Sequence, residues 1–129
     1  MANTFLPGAE TWYARDSPHT RFSGVFEDNG ETGYFYAYDR GESSQPILDA
    51  VHIYDVADVT DRALESVVEI VWSSDGLKAA LLLNDYPHAV IDFGGRATYS
   101  RTEFPPGSER WQHQPWDDGL LELFRDALP

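Results

Sequence analysis

The sequence predicts an α+β domain: a mainly antiparallel β-sheet of about six or seven strands, built from hairpins and a meander, with a C-terminal amphipathic helix packed on one face. Three observations carry this expectation. Residues 67–93 (VVEIVWSSDGLKAALLLNDYPHAVIDF) hold three apolar segments of strand length, separated by the turn signals Ser74-Asp75-Gly76 and Asn84-Asp85-Tyr86-Pro87. Asp28-Asn29-Gly30 stands between the β-rich segments 22–27 and 33–39, and Asn-Gly marks a hairpin because both residues tolerate positive φ. From Pro115 onward the apolar period changes, with Leu120, Leu121, Leu123, Phe124, Ala127 and Leu128 opposite Glu122, Arg125 and Asp126. A helix beginning near Trp116-Asp117 would place acidic side chains at its positive end.

Taken in order, residues 1–10 read as a flexible N-terminal stretch within a single domain spanning 1–129, and Thr11 to Ala14 reads as an edge strand. In the return strand of the hairpin, alternation sets Tyr34, Tyr36 and Tyr38 on one face and Phe35 and Ala37 on the other. Residues 40–46 form a polar loop, and 47–56 read as a strand. Residues 58–66 are acidic and read as a loop or a single helical turn. Residues 77–83 read as a strand despite their helix-favouring Leu, Lys and Ala, because the segment is short and its neighbours are β-rich. Gly94-Gly95 marks a turn before a last strand over 97–103, which Pro105-Pro106-Gly107 ends.

Composition narrows the function classes. With 129 residues the chain can bury a core without staples. It has no cysteine, which excludes disulfides, thiolate metal sites and cysteine nucleophiles. The first residues lack the pattern of a signal peptide, and no apolar run approaches the roughly 20 residues that span a bilayer. A cytoplasmic protein is expected. Twenty-two acidic residues against nine basic ones leave a formal charge of −13. Such a surface repels nucleic-acid phosphates and anionic lipid, so neither is an expected partner, whereas a basic protein is. Acidity also serves solubility alone, which is the plainer reading.

The strings GVFEDNGETGYFYAYD (24–39), ILDAVHIYDV (47–56) and WSSDGLKAALLLNDYPHAVIDF (72–93) resemble a family of small bacterial proteins described only as a domain of unknown function, DUF2251. The resemblance implies a bacterial source and a single-domain protein. It implies no activity that can be carried to residues here.

Several groupings have the residue types that chemistry needs. His52, Asp55, Asp58 and Asp61 follow a spacing of three and are suitable metal ligands, but on a strand His52 and Asp55 point to opposite faces. No metal and no cofactor are expected. His52, Tyr54 and the Tyr34, Tyr36 and Tyr38 face would line a small-ligand or acid–base pocket if their strands are neighbours; the plainer reading is a cross-strand aromatic ladder. Ser73-Ser74-Asp75-Gly76 lacks the strand–turn–helix setting of a hydrolase serine and reads as turn chemistry. His88 reads as a strand-edge histidine bonded locally. Trp111 and Trp116 lie in a polar segment, SERWQHQPWDDG. Docked back onto the sheet they are core; exposed, with Asp117 and Asp118, they are interface anchors for a cationic partner. Asp55, Asp58 and Asp61 form a second acidic patch. The leading expectation is therefore a non-enzymatic acidic module that caps or regulates a basic partner, as immunity proteins, antitoxins and DNA mimics do. A small-molecule or enzymatic site on the His52 and tyrosine face is the alternative, and self-association through a strand edge is a third reading.

Overall fold

Alternating apolar residues require two covered faces, and the chain provides them by folding into two stacked sheets. The computed structural model describes residues 2–124. The first sheet has four antiparallel strands in consecutive order: β2 (Thr11–Asp16), β3 (Phe22–Asp28), β4 (Thr32–Asp39) and β5 (Ile47–Asp55). The second has six: β1 (Ala2–Phe5), β6 (Ser66–Trp72), β7 (Lys78–Leu83), β8 (Tyr86–Asp92), β9 (Ala97–Ser100) and β10 (Gln112–Pro115), in that order. All its pairings are antiparallel except β9 with β10. β1 lies inside the ten-residue stretch for which no element was expected, where it pairs with β6.

The fold class is therefore not α+β but mostly β, and this corrects the sequence-based expectation. The stripe expected to form a C-terminal α-helix is, as far as residue 124, a short 3₁₀ segment, Asp118–Phe124. Its start explains why. Asp117 Oδ1 accepts the Gly119 amide at 2.9 Å and the Asp117 carbonyl accepts the Leu120 amide at 2.9 Å, an Asx turn with a three-residue repeat. A glycine in the first turn also weakens an α-helical nucleus there. Ala127 and Leu128 lie outside the described residues. A second 3₁₀ turn, Val56–Asp58, follows β5. Among the described residues no helix is long and apolar enough to cross a membrane.

The main core lies between the sheets. Phe26, Phe35 and Val51 from the four-stranded sheet meet Val68, Ile70, Leu81, Ala89 and Ile91 from the six-stranded one, together with Phe93 just after β8. Each large side chain so buried contributes roughly 1.5–3 kcal/mol. Polar ties join the layers: Arg15 Nη1 donates to the Ile70 carbonyl at 2.9 Å, and the Trp72 indole N–H donates to the Arg15 carbonyl at 3.1 Å. A smaller cluster covers the outer face of the six-stranded sheet, where Phe124 sits on Val71, Ala80, Leu82 and Val90. The meander expected over residues 67–93 is present as β6, β7 and β8, and Asn84 and Asp85 both take positive φ (53° and 66°) between the last two strands. That is the mirror-image turn a two-residue hairpin needs.

Candidate functional site

Alternation along β4 turns Tyr34, Tyr36 and Tyr38 away from the core while Phe35 and Ala37 are fully buried. Tyr34 pairs with His52 on β5 and with Glu27 on β3, and Glu27 pairs with Trp12 on β2. The result is an aromatic row across the outer face of the four-stranded sheet. Its ring centroids step from Trp12 to Tyr36 (6.2 Å), Tyr36 to Tyr34 (6.0 Å), Tyr34 to His52 (6.3 Å) and His52 to Phe104 (6.0 Å). Phe104 belongs to a loop that covers the edge of β5, where the His52 amide donates to the Phe104 carbonyl at 2.7 Å. The two ends of the row are open, with Trp12 57% and Phe104 56% exposed.

A carboxylate lies within this row. The Tyr36 hydroxyl donates to Glu27 Oε1 at 2.7 Å, and burial, together with that bond, holds the Tyr36 phenol well above its ordinary pKa. The phenol therefore stays protonated at neutral pH and keeps donating to Glu27. Beside Trp12 the surface opens into a cleft of about 330 Å³ lined by Glu10, Thr11, Trp12, Glu27, Asp28 and Asn29. A second cleft of about 520 Å³ lies on the other side of the β3–β4 turn, with Glu31, Asp55 and Asp58 in its walls and Arg62 beside them.

One buried group shapes the tip between these clefts. Asp28, 1% exposed, accepts the Gly8 amide (2.8 Å), the Gly30 amide (2.8 Å) and the Tyr54 hydroxyl (2.6 Å). Tyr54 thereby leaves the His52 face. It packs over Gly33, where any Cβ would collide with its ring, and burial and Asp28 raise its pKa. Of the five residues expected to line a pocket, His52, Tyr34 and Tyr36 come together, Tyr54 does not, and Tyr38 has no ring contact with them among the described residues.

His52 and Asp55 were expected to point apart, and this is overturned. A register shift opposite Gly33 and Tyr34 adds a residue to β5, so His52 Nε2 meets Asp55 Oδ1 at 3.0 Å. His52 Nδ1 is enclosed and has no partner among the described residues. Asp58 and Asp61 are exposed and do not join this pair, and the described residues hold no group of three or more His, Asp or Glu side chains placed to share a metal ion.

Trp111 is 4% exposed, part of the main core, and presents nothing to a partner. Its indole N–H donates to Thr98 Oγ1 (2.8 Å), which donates to Asp49 Oδ2 (2.7 Å). Asp49 also meets His113 Nε2 at 2.8 Å, and His113 Nδ1 faces the Pro105 carbonyl. Trp116 is half-buried on the outer face of the six-stranded sheet; its indole N–H donates to Asp118 at 2.7 Å, while Asp117 and Asp118 are exposed. Sequence reasoning missed Glu10, Trp12, Glu27 and Phe104. Alternation along TWYARD was a usable signal for Trp12, whereas Glu27 is revealed only by cross-strand register and Phe104 only by the loop that packs against His52.

The model of the family described as "Uncharacterized protein conserved in bacteria (DUF2251)" matches residues 5–125. The chain belongs to this family. It is 44% identical over 84 residues to an uncharacterized protein of Haemophilus influenzae, an alignment covering 65% of this chain and 52% of that protein. The chain thus spans about half the length of the curated relative it matches. No solved structure matches it.

Proposed function

We propose that this protein is a binding module that holds a basic segment of a protein partner at the tip of its four-stranded sheet. The observation that carries the reading is the exposed Trp12 indole beside a cleft walled by Glu10 and Glu27. A guanidinium or ammonium entering that cleft meets an aromatic ring and carboxylates together, the combination that favours cations over any other group. The row from Trp12 to Phe104 then offers a flat apolar surface to the rest of the segment. A formal charge of −13 adds long-range attraction for the same class of partner.

An enzymatic or small-molecule role for His52 has less support. Its Nε2 is engaged by Asp55 and its Nδ1 is enclosed, so neither nitrogen is offered to a substrate.

An oligo-arginine peptide is the direct probe, followed by tryptophan fluorescence. Saturable quenching is expected in the wild type and its loss in Trp12→Phe. Glu10→Gln combined with Glu27→Gln should weaken binding about tenfold, the scale of one lost charge-assisted contact. A control pair, Glu65→Gln with Glu109→Gln, removes the same charge elsewhere. Equal losses in both pairs would reduce the interaction to net charge and refute the site.

A further inference from the structure

The outer face of the six-stranded sheet carries a second, chemically opposite feature. Arg101 stands between two rings, its guanidinium carbon 4.4 Å from the Tyr86 centroid and 4.8 Å from the Trp116 centroid. Its Nε donates to the Pro87 carbonyl at 2.9 Å. Stacking and this bond fix the plane of the guanidinium, and among the described residues no carboxylate meets its two terminal nitrogens. By contrast, Arg21 and Arg40 pair with Asp39 and Asp16. Arg101 also lines a cleft of about 760 Å³ with Tyr99, Gln114, Trp116, Asp117 and Asp118.

We infer that this cleft binds a small organic monocarboxylate with a flat apolar body. A guanidinium held in plane by its Nε side leaves the end-on pair of N–H groups as a fork, and that fork matches the two oxygens of a carboxylate. The Trp116 ring and Leu120 supply the apolar wall against which such a body lies. Asp117 and Asp118 at the rim select against ligands with several negative charges, phosphates included. Two neighbouring bonds keep these acids in place: Asp117 Oδ1 accepts the Gly119 amide and Asp118 Oδ1 the Trp116 indole N–H. The cleft is built from β9, β10 and the residues after it, on the sheet that does not carry Trp12, so it stands apart from the proposed basic-partner site.

Benzoate, benzamide and inorganic phosphate are the probes, and the Trp116 indole N–H resonance, assigned with Trp116→Phe, is the readout. Benzoate should shift it saturably, while benzamide and phosphate should bind at least about tenfold more weakly, as expected for loss of a charged hydrogen-bonded contact. Arg101→Gln should abolish the benzoate shift. Arg101→Lys, which keeps the charge and the stem, should still weaken it by about tenfold because a lysine has no fork. Equal binding of benzamide, a phosphate response matching that of benzoate, or undiminished binding in Arg101→Lys would each overturn the inference.

Discussion

Two histidines show how differently the same side chain is used. His113, 3% exposed at its side chain, has an oxygen partner at each ring nitrogen, Asp49 at Nε2 and the Pro105 carbonyl at Nδ1. With Thr98 and Trp111 it ties β5 to β9 and β10. His113→Ala takes this partner away from the Asp49 carboxylate, whose side chain is only 12% exposed, and the expected cost is about 1–3 kcal/mol in denaturant unfolding. A loss under about 1 kcal/mol would mean the network is not a closure of the sandwich. His88 is the opposite case: burial, and next to it the Arg101 charge, push its pKa down to about 4. The unfolded state therefore binds the proton first, and stability falls as pH drops from about 6.5 toward 4, by at most about 1.4 kcal/mol per unit. His88→Gln is expected to flatten the pH dependence of stability between pH 6.5 and 5; an unchanged slope there would assign it to other groups.

At the scale of elements, the parts legible in the sequence are those whose signals are local. Asn84-Asp85 and Gly30 announced their turns because few residues accept positive φ, and alternation in β4 sorted the tyrosines from Phe35. β10, Gln112–Pro115, was not legible, since QHQP has no strand propensity. Its place depends on the burial of the adjacent Trp111 and on the contact of His113 with Asp49, which is distant in sequence. The C-terminal stripe misled for a related reason: spacing reports which residues are apolar, whereas the Asx turn at Asp117 decides the helix type. Packing there is nevertheless substantial. Phe124, 1% exposed, closes the outer cluster of the six-stranded sheet. Phe124→Ala is expected to cost about 3–5 kcal/mol in thermal or denaturant unfolding. A near-neutral result would show the segment to be dispensable for stability.

For the whole molecule, the sandwich separates two surfaces of opposite character. The four-stranded sheet presents aromatic rings with carboxylates at the hairpin tip, and the six-stranded sheet presents one stacked guanidinium in a cleft. The candidate site was only half legible. His52, Tyr34 and Tyr36 could be grouped from alternation, but the register shift that turns Asp55 back to His52, and the Asp28 hub that draws Tyr54 away, are products of tertiary packing. Net charge suggests a class of partner but gives it no location, because 22 acidic residues are spread along the whole chain. The most direct test is therefore one of place: backbone and indole resonances recorded while oligo-arginine is added. Shifts concentrated on Glu10, Trp12, Glu27 and the residues around Gly30, shrinking as salt rises, are the expected result. Shifts spread evenly over the acidic surface, or gathered on the outer face of the six-stranded sheet, would contradict it.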